Sequence, residues 1–237
     1  MVVSQGNRQW LRGLFQVQGS VIPGIFPRVL FCAIFSSFIA WFYTLGWPVS
    51  HPTIAGIVPT LVLGLLLVFR TNTAYDRYWE GRKVWGTILN LSRSIGIQIW
   101  SFVKQKTDVD ALEKKAILRV LSAFAYATKL HLRNEPINQD VEALVTPAQY
   151  ETLRTVDNAP LEIAGWIARY LDHQHSQGML EGSQMRTIVE LLSDLVNCIG
   201  ATERILKTPL PAAYAIHLKQ LLLIYCLSLP FQLVAEL

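Results

Sequence analysis

Residues 53–69 carry no charge, and Arg70 follows them with no loop signal between. From Arg70 to Arg93 the chain is dense in charge and aromatics, yet helical spacing continues through it. A run of this kind predicts one long helix that leaves a membrane and goes on into water, because nothing at residue 70 gives the helix a place to end. Pro59 is its one interruption.

The chain has 237 residues, of which 51% are apolar and 16% charged, a balance shifted towards hydrophobes relative to a soluble domain. The excess sits in residues 29–47, 53–69 and about 221–235. At about 1.5 Å rise per residue, the first is long enough for a hydrocarbon core of about 30 Å, and the other two are marginal. The first run starts too late for a signal peptide and lacks a small-residue cleavage site. Ahead of it, residues 1–28 hold Arg8, Arg12 and Arg28, no acid, and Trp10, Phe15 and Phe26. That composition suits a cytoplasmic segment lying in the membrane interface.

Pro48 to Pro52 is short, uncharged and turn-forming, so the first two runs are expected to form a hairpin. Basic residues flank it on both sides, which puts both flanks in the cytoplasm. The expected organisation is an interfacial segment at 1–28, a transmembrane hairpin at 29–69, a cytosolic helical region at 70–211 and a third membrane segment at 212–237. Three crossings are an odd number, and no polar tail follows the last apolar residues. A shortened chain lacking a fourth crossing is therefore expected.

In the cytosolic region the spacing predicts helix over 71–105, a polar connector at 107–113, and an amphipathic helix over 114–134. Thr146-Pro147 and Asn158-Ala-Pro160 each start a further helix, the second running to about His175. A last amphipathic helix over 183–207 is stopped by Pro209 and Pro211. No run alternates as a strand does, so the fold class is all-α, a helical membrane protein.

The residues offer no catalytic set. Cys32, Cys198 and Cys226 have no metal-ligand spacing, so neither disulfide nor zinc site is expected. His173 and His175 stand two apart beside Asp172 and face different ways on a helix, as at a solvated helix end. There is no phosphate loop, no nucleophile elbow and no carboxylate pair in apolar surroundings, so no enzyme, cofactor or metal is expected. The net charge of +4 is scattered beside membrane ends and interleaved with acids, which argues for topology and against nucleic acid.

Within the second run, Leu61, Leu65 and Phe69 recur at i, i+4 and i+8, stacked about 6 Å apart along one face. Pro59 just above them is placed to start a fresh helical segment and to loosen the backbone beyond it. In a monomer such a face is a packing face, which is the reading that spacing alone favours. In a ring of identical subunits it lines a narrow apolar pore of the kind that gates by dewetting.

The run from Phe69 to Gly86, FRTNTAYDRYWEGRKVWG, resembles the signature of the bacterial branch of the bestrophin family. Thr208-Pro-Leu-Pro211 with Tyr214 resembles a second family landmark. The resemblance covers nearly all of the chain. It implies a homopentameric ion channel with four membrane helices per subunit, a helical cytosolic part and one central pore whose neck falls on Leu61, Leu65 and Phe69. Two layers would then be Leu, where relatives often have Ile or Phe. A second, cytosolic constriction is implied somewhere between Met179 and Arg186. Family members usually continue past the position of Leu237 with another membrane helix and an acidic segment that contributes to a calcium site in animal relatives.

For ion choice, Phe69 ring edges and a helix N-terminus near Pro59 favour anions. Rings of Asp76 and Glu80 favour cations unless Arg77, Arg82 or Lys83 neutralises them. The balance points to chloride or another small anion. The expected partners are further copies of the chain, membrane lipid and small inorganic ions, in a bacterial plasma membrane or an internal one, crossed several times. A cation-conducting homologue and a non-conducting scaffold are the alternatives. A carrier would need internal repeats, which the sequence lacks.

Overall fold

The computed structural model describes residues 22–50, 57–208 and 211–234. Those residues form eight helices and, among them, no strand. They are α1 (Ile22–Thr44), α2 (Ile57–Phe102), α3 (Asp108–Arg133), α4 (Gln139–Glu142), α5 (Pro147–Thr155), α6 (Ala159–Ser176), α7 (Gly182–Lys207) and α8 (Ala212–Leu233). The chain divides into two compact units, one of Met1–Thr71 with Leu210–Leu237, the other of Asn72–Pro209.

In the first unit α1 packs along α8, with Phe35 and Phe231 meeting edge to face at 6.1 Å. Thr60 and Tyr225 share a hydroxyl–hydroxyl hydrogen bond of 3.0 Å between α2 and α8. Most of the remaining apolar surface is uncovered: Phe31, Ile34, Phe38 and Trp41 on α1 and Leu223 and Ile224 on α8 are all exposed. α1 and α8 are both long and apolar enough to cross a membrane. At the end of α1, Phe38, Trp41, Phe42 and Trp47 cluster with ring centroids 4.7 to 6.0 Å apart, the amphipathic aromatic set that suits headgroup depth. Gly46, at φ +82°, closes that helix in the left-handed region, where a Cβ is strained.

α1 starts at Ile22, earlier than the expected first residue at 29, and so takes in Arg28. Pro23 stands in the first turn, where its missing N–H is not needed, and Pro27 forfeits only one bond just inside. The expected interfacial residues 1–21 and the hairpin turn residues 51–52 lie outside the described residues.

The second unit is a helical bundle with α6 packed on both α3 and α7. Ile163, Ile167 and Leu171 recur along one face of α6, each 0% exposed. They meet Phe124 and Leu121 of α3, Leu192 and Leu195 of α7, and Ile88, Ile95 and Ile99 of α2 in one core. Full burial of each such side chain is worth about 1.5–3 kcal/mol. At Gly96, where α2 faces α3, a Cβ would meet Leu121 at 3.6 Å, an ordinary van der Waals contact.

Helix ends follow local chemistry. Thr107 and Asp110 form a reciprocal capping box, so α3 begins at Asp108 and the connector expected over 107–113 shrinks to a few residues. Asn134 closes α3 at φ 57°, and Thr146 with Gln149 caps α5, whose first residue is Pro147. Asn158 caps α6 through Leu161 N–H. Lys114 is buried at 3% exposure: its ammonium donates to the Val103 carbonyl at 2.6 Å and lies 5.2 Å from the Trp100 ring. Burial pushes that ammonium below the usual lysine range.

Candidate functional site

α2 is 46 residues long, about 70 Å, and carries every side chain named for the neck and the charges that follow it. At about 100° per residue, Leu61, Leu65, Phe69, Asn72, Asp76 and Lys83 fall within one sector of about 80°. Ile88, Ile95 and Ile99 fall about 80–120° round the helix from Phe69, outside that sector, and are each 0% exposed. Leu61, Leu65 and Phe69 are 64%, 54% and 54% exposed. Three successive apolar layers are therefore each more than half exposed among the described residues. Three exposed large hydrophobes in line mark a face that meets lipid, another copy or a pathway.

Pro59 stands in the first turn of α2 as described, where a helix tolerates proline without a lost bond. Residues 53–56, which the uncharged run also includes, lie outside the described residues.

The charges after Phe69 pair differently from the expectation. Neighbour spacing suggested Asp76 with Arg77 and Glu80 with Lys83. Instead, Arg77 donates to the backbone carbonyls of Thr208 at 2.7 Å and Ile205 at 2.5 Å. Those carbonyls belong to the last turn of α7, which has no partners of its own for them. Glu80 pairs with Arg204 of the same turn at 3.5 Å. Partners more than a hundred residues away thus displace the neighbours, because a buried-side arginine fork gains more from two orphan carbonyls than from one solvated carboxylate. Asp76 remains exposed in the helical sector of Leu61, Leu65 and Phe69, with no ion pair among the described residues. Lys83 is exposed on that same side, about 10 Å further along the axis.

The last turn of α7 collects further polar groups. Glu203 receives His131 Nε2 at 2.9 Å, Asn158 Nδ2 at 3.2 Å and Lys207 Nζ at 3.3 Å. The His131 hydrogen bond, with help from Lys207, holds the Glu203 carboxyl below the usual range, while partial burial works against them. None of Arg204, Glu203 or His131 was singled out from sequence. The available signal was Thr208-Pro-Leu-Pro211, which marks the helix end but not what caps it.

Residues 179–186 form the turn between α6 and α7 and the first turn of α7. Gly178 at φ +68° opens that turn, Leu180 is 2% exposed, and the Met179 carbonyl accepts from Lys104 N–H at 2.9 Å. His175 Nδ1 meets the Leu180 carbonyl at 2.9 Å, and His173 is exposed. All three cysteines are free thiols.

An all-helical chain with two exposed apolar helices and a third, longer helix running from apolar into charged sequence defines a helical membrane protein. It belongs to the bacterial and fungal bestrophin family: the profile described as Bacterial/Fungal Bestrophin protein matches residues 1–237. A voltage-dependent anion channel-forming protein of Nostoc sp. is 50% identical over 231 residues, covering 98% of this chain and 75% of the relative. A protein of the same description from Synechocystis sp. is 47% identical with the same coverage. The crystal structure of a bacterial bestrophin homologue from Klebsiella pneumoniae superposes with a TM-score of 0.77 at 25% identity, covering 90% of this chain and 78% of the other. The chain thus spans about three quarters of the length of these relatives.

Proposed function

We propose that the chain is the subunit of a homopentameric channel that passes small anions, chloride foremost, across a membrane, with a neck built by Leu61, Leu65 and Phe69. The observation that carries this reading is the exposed apolar face of α2: Leu61, Leu65 and Phe69 at helical spacing, each more than half exposed. Arranged around an axis, such layers make a narrow dewetting constriction. The Nostoc and Synechocystis relatives, named as anion channel-forming proteins, support the anion assignment.

The electrostatics support it as well. Glu80 is drawn off to Arg204, so it does not form a free acidic ring. Asp76 contributes one acidic layer on the neck side, and Lys83 contributes a basic layer beyond it. Several crossings per subunit, with the turn after α1 and the cytosolic unit on opposite sides, follow from the basic flanks of the hairpin. A cation channel is the second reading, and exposed Asp76 is the observation that favours it.

The test is conduction by purified, oligomeric protein in a planar bilayer. Phe69→Ala and Leu65→Ala are expected to keep the oligomer and raise current several-fold. Currents identical to wild type from all neck variants would remove the neck from these residues.

A further inference from the structure

The last turn of α7 is held by three other helices at once. Arg77 of α2 donates to the Ile205 and Thr208 carbonyls at 2.5 and 2.7 Å, and Glu80, one turn on, pairs with Arg204 at 3.5 Å. His131 of α3 and Asn158 at the start of α6 meet on Glu203. Thr208 closes the turn on itself, its hydroxyl and its N–H both donating to the Arg204 carbonyl. α2 is the helix that bears the proposed neck, and Arg77 and Glu80 lie two to three turns beyond Phe69.

We propose that the last turn of α7 is a latch on α2, and that Arg77 and Glu80 are positioning residues for conduction that meet no ions themselves. The inference rests on the channel reading. Its physical basis is the chemistry of an unfinished helix end. Carbonyls in the last turn of α7 lack helical partners, and the negative end of the helix dipole attracts a cation. Arginine presents two donors in a rigid fork that reaches both carbonyls together, whereas lysine offers a point charge on a flexible stem. Arg77 lies about 100° round the helix from Asp76, on the side of Val84 and Ile88, away from the neck sector. Changing it leaves the layers of the pathway in place and alters only how firmly the helix bearing them is held. The Glu80–Arg204 pair is solvent-exposed and contributes direction more than stability.

Arg77→Ala and Arg77→Lys, reconstituted as the full oligomer, are expected to change open probability or its voltage dependence several-fold, with unit conductance and reversal potential as in wild type. Amide hydrogen exchange at Lys207 and Thr208 is expected to speed up at least several-fold in both. Unchanged open probability, or an altered unit conductance or reversal potential, would overturn the latch. If Arg77→Ala does not assemble, the swap decides. Glu80→Arg and Arg204→Glu are expected to shift open probability singly and to restore it together, and failure to restore overturns the proposal. Wild-type protein without current counts against the channel reading instead. Exchange then decides alone: faster exchange at 207 and 208 in Arg77→Ala supports the latch, and unaltered exchange overturns it.

Discussion

Removing the Glu203 carboxylate should loosen the second unit in a pH-dependent way. Its side chain is 23% exposed and accepts from three groups: His131, itself 24% exposed, Asn158, and the largely exposed Lys207. A hydrogen bond to a charged group contributes about 1.5–3 kcal/mol when buried, a neutral one about 1, and an exposed ion pair about 0.3–0.5. With partial exposure discounting the first, Glu203→Ala should cost about 2–3 kcal/mol. In a unit of this size that lowers the melting midpoint by roughly 4–12 °C. Glu203 has a carboxyl held below its ordinary 4.5, first by the His131 bond and then by Lys207. A group depressed in the folded state contributes fully above its unfolded value, and the contribution disappears as pH falls through the folded value. Thermal melts of the detergent-solubilised protein, followed by circular dichroism between about pH 6 and pH 3, should show wild type losing its advantage over Glu203→Gln as the acid end is approached. Parallel pH profiles for the two, or a Glu203→Ala cost under about 0.5 kcal/mol, would refute the argument that this carboxylate ties three helices together.

Lys114→Ala should destabilise the second unit by about 2–4 kcal/mol in the same melts, since it strands the Val103 carbonyl and removes the buried stem beside Trp100. Lys114→Met also loses the hydrogen bond but keeps the stem and should cost less, about 1–3 kcal/mol, so equal costs would show that the buried stem contributes nothing. Gly96→Ala should stabilise by about 0.5–1 kcal/mol, because a Cβ there meets Leu121 at an ordinary 3.6 Å while the helix gains propensity; a loss of stability would mean that α2 and α3 sit closer than described. Replacing Asn134, held at φ 57°, by Val should cost about 1–2 kcal/mol while Gly is tolerated, measured as a midpoint difference between the two variants.

What could be read from sequence follows from the range of the forces involved. The unbroken passage from residue 69 into Arg70 already specified one long helix, and helical spacing alone aligned Leu61, Leu65 and Phe69. Thr146-Pro147 and Asn158-Ala-Pro160 marked the starts of α5 and α6 because caps are local chemistry. The short α4 escaped notice, being one turn capped by Asn138 with no apolar period to reveal it. The early start of α3 was hidden in a polar stretch whose Thr107–Asp110 box resembled a connector. Least legible are the charges that follow Phe69. Rules for neighbours along a helix assigned Arg77 and Glu80 to residues beside them, whereas both reach the far end of α7, and no local pattern encodes a contact at that separation.

The proposed anion pathway along the Leu61, Leu65 and Phe69 face of α2 is best tested by the reversal potential of purified protein in a planar bilayer under a tenfold chloride salt gradient. For a single monovalent ion the limit is about 59 mV in either direction. Wild-type protein should reverse on the chloride side of zero, approaching that limit, and Glu80→Gln should hold it there. A reversal potential on the cation side, abolished by Asp76→Asn, would contradict the anion assignment and transfer selectivity to the exposed acidic layer.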